Sequence, residues 1–66
     1  MRKTLEEIRL ENGVLKRAVA EHIGVSYPTY SRYEADPRIM KVGDFEKVCH
    51  FLHVDRDDII LPEDAN

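Results

Sequence analysis

Residues 16–34, KRAVAEHIGVSYPTYSRYE, constrain the fold of this chain more than any other segment. Val19 and Ile23 lie four residues apart, a spacing that places both side chains on one face of a helix. Gly24 follows directly, and glycine tolerates the left-handed backbone that a sharp turn needs. An inward-facing apolar position returns at Tyr30. The segment therefore predicts two short helices that cross at a tight turn, with a polar face of the second helix turned outward.

The length and composition of the chain limit what surrounds this unit. The chain has 66 residues, so we expect residues 1–66 to form a single domain with a small core. One cysteine cannot form an internal disulfide, and nothing points to secretion. The opening residues, MRKTLEEI, lack the apolar run of a signal peptide, and no segment is long enough to span a bilayer. We expect a soluble, cytoplasmic protein without membrane contact.

Capping residues and apolar spacing predict an all-α domain of five helices. Thr4 and Glu7 fit a capping box at the start of the first helix, and Ser26 is placed to cap the third. Asp55 is placed to cap a short final helix, and residues 63–66 are predicted to be frayed. The predicted helices cover about residues 4–12, 15–23, 27–34, 42–52 and 56–61.

Two helices joined by a tight turn are typical of a helix-turn-helix, here residues 16–35, which places its second helix in the major groove of DNA. The outer face of that helix holds the candidate base-contacting residues: Tyr27, Pro28, Thr29, Ser31 and Arg32. Arg32 is the strongest candidate, because a guanidinium can donate to both O6 and N7 of guanine. Candidate phosphate contacts flank the helix: Lys16, Arg17, Ser26, Arg38 and Lys41. Each of the four cations in this set taken alone is more often simply solvated, but their placement on both sides of one polar helix favours DNA contact.

The distribution of charge matters more than the net charge of −3. Residues 1–41 contain eight Lys and Arg against six Asp and Glu, whereas residues 42–66 contain two against seven. The acidic excess therefore lies C-terminal to the predicted DNA-contacting unit. We expect the field to leave a modest basic face at one end of the domain and to repel DNA from the other.

The segment AEHIGVSYPTYSRYE, residues 20–34, resembles the Cro and phage-repressor type of helix-turn-helix, the XRE-like family. The resemblance extends over about residues 5–60. It implies a fold like the DNA-binding domain of the lambda repressor. It also implies a partly buried ion pair between Arg9 and Glu34 that holds the DNA-contacting helix against the rest of the domain.

Three positions depart from the family pattern. The family usually has a Thr or Ser cap followed by Gln at the start of the second helix, where this chain has Leu15 and Lys16. Leucine cannot cap a helix, and lysine meets a phosphate as a point charge without the directional bonding of an amide. His53 replaces the usual glycine after the fourth helix.

The sequence predicts a sequence-specific regulator of transcription that binds double-stranded DNA, a small repressor of the phage or mobile-element type. We expect a homodimer, weak in the absence of DNA, that contacts half-sites roughly 34 Å apart. The rival hypothesis is a protein-interaction module on the same fold, an antirepressor or adaptor with weak or no DNA binding. The acidic net charge and the few polar side chains on the third helix favour that rival. No small-molecule effector is evident.

The sequence was also compared with the patterns of a metal site and of a catalytic site. Cys49, His50 and His53 have the spacing of metal ligands, but zinc needs four ligands, or three and a water, and Cys49 fits a buried apolar stripe. We therefore predict no metal and no cofactor. The sequence also lacks a visible nucleophile paired with a base and lacks a glycine-rich phosphate loop, so we expect no enzymatic activity.

Overall fold

The computed structural model describes residues 2–61. This part of the chain is all-helical, with four α-helices: α1 (Leu5–Glu11), α2 (Lys16–Ile23), α3 (Tyr27–Ala35) and α4 (Val42–Leu52). Single 3-10 turns, Pro37–Ile39 and Arg56–Asp58, precede and follow α4. The all-α class is confirmed, with four helices in place of the predicted five. Residues 63–66, predicted to be frayed, lie outside the described residues.

The first helix begins where the sequence placed its cap. The amide of Glu7 donates to Thr4 Oγ1 over 3.2 Å, and the amide of Thr4 donates to Glu7 Oε1 over 2.9 Å. The predicted capping box is therefore confirmed. Because the backbone amide and then the hydroxyl of Thr4 stabilise the carboxylate, the pKa of Glu7 lies below its ordinary value.

The crossing of α2 and α3 depends on Gly24 and Ser26. Gly24 ends α2 with a φ of 82°, in the left-handed region that side chains rarely adopt. Ser26 Oγ then accepts the amide of Thr29 over 3.3 Å, as predicted for the cap of α3. Pro28 lies in the first turn of α3, where its missing N–H leaves no hydrogen bond unmade.

The core lies between the helices and is closed by the segment after α4. Tyr30 is fully buried, whereas Tyr33 is half-buried and its hydroxyl donates to Asp44 on α4 over 3.5 Å. The buried apolar residues come from every helix: Leu5, Ile8, Val19, Ala20, Ile23, Tyr30, Met40, Val48, Leu52 and Ile59.

The prediction of a fifth helix over residues 56–61 is wrong. Arg56–Asp58 forms one 3-10 turn, and Asp55 before it makes no side-chain cap bond. Ile59 then has extended dihedral angles and forms an isolated parallel bridge with Lys3.

Backbone pairing with the N-terminal segment explains this difference. The amide of Lys3 donates to the carbonyl of Asp58 over 2.9 Å, and the amide of Ile60 donates to the carbonyl of Lys3 over 2.7 Å. These bonds satisfy backbone groups that a helix would otherwise satisfy, and they hold Ile59 in the core at 1% exposure.

The side chain of Arg9 joins α1 to α3. Its Nε and Nη2 donate to the two carboxylate oxygens of Glu34 over 2.8 and 3.1 Å, and its Nη1 donates to the carbonyl of Val14 over 2.9 Å. The side chains of Arg9 and Glu34 are only 8% and 4% exposed. The ion pair implied by the family resemblance is thus present in the structure, and its bonds to Glu34 raise the pKa of Arg9.

Removing one partner of this pair should destabilise the domain strongly. We expect Glu34→Leu to lower the free energy of unfolding by about 3–5 kcal/mol, because the guanidinium of Arg9 is left buried without its counter-charge. The double variant Arg9→Met with Glu34→Leu should recover most of that loss, since apolar residues of similar size often replace a buried pair. Urea unfolding followed by circular dichroism measures both. A single variant as stable as the wild type would contradict this account.

Candidate nucleic-acid interface

The amino-terminal ends of α2 and α3 form an open groove of about 390 Å³, which we call the α2–α3 groove. Its lining residues are Arg9, Leu15, Lys16, Arg17 and Tyr27. Lys16 and Arg17 supply positive charge to the groove, whereas the charge of Arg9 is paired with the Glu34 carboxylate. The groove therefore combines positive charge with two apolar side chains.

Lys16 connects this groove to the outer face of α3. Its Nζ donates to Ser31 Oγ over 3.3 Å. Ser31 lies four residues after Tyr27 on α3, so the two side chains occupy the same face of the helix. The structure thereby brings together four of the residues predicted to contact DNA: Lys16, Arg17, Tyr27 and Ser31.

Pro28 and Arg32 form the neighbouring strip of α3. They also lie four residues apart, and both are exposed. Among the described residues, none forms a hydrogen bond or ion pair with the Arg32 guanidinium. The donors of Arg32 are therefore available to an external acceptor.

The hydroxyls of Ser26 and Thr29 are hydrogen-bonded to each other. Ser26 Oγ accepts the amide of Thr29 and donates its own proton to Thr29 Oγ1 over 2.9 Å. The proton of Ser26 is therefore engaged, whereas the hydroxyl proton of Thr29 can still be donated. Because a phosphate oxygen only accepts hydrogen bonds, Thr29 is better placed than Ser26 to meet one.

Arg38 and Lys41 lie apart from the α2–α3 groove. The Nε and Nη2 of Arg38 donate to the two carboxylate oxygens of Asp36 over 3.1 and 3.3 Å. The side-chain hydrogen bond from Arg38 holds the pKa of Asp36 below its ordinary value. Arg38 thus shares its charge with a carboxylate, while Lys41 is exposed at the start of α4.

A family model described as helix-turn-helix matches residues 5–59. The chain belongs to the XRE-type, Cro- and repressor-like helix-turn-helix family. This family consists of DNA-binding regulatory domains and is not enzymatic. Neither the comparison with curated proteins nor the comparison with solved structures found a match.

Within this helix-turn-helix domain, α2 and α3 are the two helices of the motif, and carboxylates approach its outer face from one side. Glu6 lines a second groove together with Lys16 and Ser31. Glu34 also borders that groove, but it is paired with Arg9. Lys16 and Arg17 therefore place positive charge on the α2–α3 groove, and the carboxylate of Glu6 on α1 partly offsets it near Lys16.

Leu15 also lines the α2–α3 groove, although the sequence predicts no DNA contact for it. It is the N-cap of α2, makes no side-chain cap bond, and is 73% exposed in the α2–α3 groove. The available signal was an apolar side chain at a position where Ser, Thr, Asp or Asn normally satisfies free amides. From the sequence alone, that signal indicates only a missing cap.

The structure also places Cys49, one of the residues with the spacing of metal ligands. Cys49 is half-buried, and burial raises the pKa of its thiol. Within residues 2–61, no group of three or more His, Cys, Asp or Glu side chains is arranged to hold a metal ion. The same part of the chain has no helix that is both long and apolar enough to cross a membrane.

Proposed function

We propose that this chain is a sequence-specific transcriptional repressor that binds duplex DNA with α3 in the major groove. The observation that carries this proposal is the α2–α3 groove, which Lys16, Arg17 and the exposed Tyr27 of α3 line without a carboxylate. The family resemblance favours a small repressor of the kind found in phages and mobile elements.

The proposed contacts are divided between the two helices. Tyr27 and Pro28 lie at the amino-terminal end of α3, which meets base edges in helix-turn-helix complexes. Arg32 lies one turn further on the same side, and a bidentate contact with guanine is worth about 1–3 kcal/mol of discrimination. Lys16 and Arg17 at the start of α2 are placed to contact the flanking phosphates.

Two copies are needed to contact a two-fold symmetric operator. One copy measures 29 × 22 × 17 Å, which is less than the half-site spacing of roughly 34 Å. A third groove, lined in part by Pro37, Met40 and Phe45, shares no residue with the α2–α3 groove. It offers apolar surface for a partner copy. We propose a homodimer that is weak in solution and is stabilised when both copies bind DNA.

A second candidate function is a protein-interaction module, an antirepressor or adaptor. The exposure of Leu15 and Tyr27, at 73% and 50%, favours it, since exposed apolar side chains are common at protein interfaces. Lys16 beside them favours DNA instead, because lysine is depleted at protein–protein interfaces. We therefore place DNA binding first.

Salt dependence separates the two functions. The logarithm of DNA affinity should fall linearly with the logarithm of salt concentration, with a slope of about −3 per copy if Lys16, Arg17 and Lys41 each neutralise one phosphate. Fluorescence anisotropy with labelled duplexes, between about 50 and 200 mM salt, measures this slope. The absence of any duplex binding at low salt, together with a protein that co-purifies, would favour the interaction module.

Two alanine variants test the division of roles on the helix-turn-helix. Arg32→Ala should relax base preference at one operator position, because it removes a base contact worth about 1–3 kcal/mol. Lys16→Ala should weaken binding to all sequences alike and reduce the salt slope by about one. Anisotropy with single-base operator variants measures both effects.

Lys47→Ala is the matched control, because Lys47 is exposed on α4 and does not line the α2–α3 groove. It should leave affinity and base preference unchanged. Equal loss of base preference in the Arg32 and Lys16 variants would show that the assigned roles are wrong.

A further inference from the structure

We propose that Leu15 and Tyr27 together recognise the C5 methyl group of a thymine in the major groove. This inference rests on the proposed function and names the chemistry that the α2–α3 groove recognises. It adds Leu15, on the first helix of the motif, to the residues that determine specificity.

The two side chains form an apolar pair that the fold itself does not use. Both line the α2–α3 groove, and both are largely exposed. The large apolar side chains that are exposed within residues 2–61 are Leu10, Leu15, Tyr27, Ile39 and Val42, and of these two line the groove. Leu15 contributes no cap to α2 and little buried area to the core. A polar N-cap there would stabilise α2, so leucine is unfavourable for the isolated fold.

The charges around Leu15 and Tyr27 favour DNA as the ligand of these two side chains. Lys16 and Arg17 line the same groove and no carboxylate does, while the charge of Arg9 is paired with Glu34. A polyanion complements this set of charges. In the major groove of duplex DNA, the apolar group that base pairs present is the C5 methyl of thymine.

The hydroxyl groups on the outer face of α3 are partly engaged within the protein, although Thr29 and Ser31 each keep a proton to donate. Ser31 accepts a hydrogen bond from Lys16, and the hydroxyls of Ser26 and Thr29 are bonded to each other. Arg32 is then the strongest polar group available to the bases. An apolar contact with a methyl group adds discrimination that needs no hydrogen-bonding group.

The size of the effect follows from the apolar surface of one methyl group. Burying one methyl corresponds to roughly a three- to fivefold gain in affinity. A symmetric operator bound by two copies would gain about tenfold or more, because the two half-sites contribute independently.

The test replaces thymine by uracil, one position at a time, in a duplex recovered by selection from a random library. Uracil removes the methyl group and leaves the base-pairing edge and the O4 acceptor in place. We expect one thymine in each half-site at which uracil weakens binding by the wild-type protein roughly three- to fivefold. In the Leu15→Ala variant, the difference between thymine and uracil at that position should become clearly smaller, because only Tyr27 still contacts the methyl group.

Leu10→Ala is the matched control, because Leu10 is 61% exposed on α1 and does not line the groove. This variant should keep the full difference between thymine and uracil. Thermal unfolding of both variants checks that each remains folded.

Each outcome is decisive. Equal binding of thymine and uracil duplexes at every position, or selected half-sites without thymine, would overturn the inference while leaving DNA binding intact. A thymine effect that is undiminished in Leu15→Ala would remove Leu15 from the contact. Failure to select any duplex at low salt would instead overturn the proposed function, and a protein partner seated on Leu15 and Tyr27 would then be the better explanation.

Discussion

The hydrogen bonds of Arg9 fix the position of α3, and the rest of the proposed interface depends on that position. Within α3, Tyr30 is the fully buried residue, so apolar packing alone fixes this helix weakly against the core. Arg9 adds directional hydrogen bonds, because its guanidinium donates to both carboxylate oxygens of Glu34 and to the carbonyl of Val14. Tyr30 packs in the same region, where burial and then the charge of Glu34 raise the pKa of its hydroxyl and keep it neutral.

Local sequence signals predicted the helix starts and the turn of the motif, because those features depend on residues close in the chain. The capping box at Thr4, the glycine at residue 24 and the Ser26 cap each involve atoms within about one turn of helix. The segment 56–61 was mispredicted for the opposite reason. Its acidic residues and apolar pair resemble a capped helix, but Lys3, more than fifty residues away in the chain, pairs with its backbone and holds it extended.

The sequence predicted which residues lie on the outer face of α3, but not the hydrogen bonds that connect them to their neighbours. Helical periodicity alone placed Tyr27, Ser31 and Arg32 on the outside of α3. It could not show the hydrogen bond from Lys16 to Ser31 or the one between the hydroxyls of Ser26 and Thr29. The ion pair of Arg38 with Asp36 was equally out of reach, because all three contacts depend on side-chain conformations. The groove that joins Leu15 to Tyr27 was also inaccessible, since it requires the crossing of two helices.

The central claim is that the amino-terminal ends of α2 and α3 form the surface that meets DNA. The most direct measurement is the change in backbone amide chemical shifts when ¹⁵N-labelled protein is titrated with a selected duplex at low salt. The account predicts the largest changes at residues 15–17 and 27–32 and small changes along α4. Largest changes along α4 and around Arg56, or no change anywhere, would contradict it.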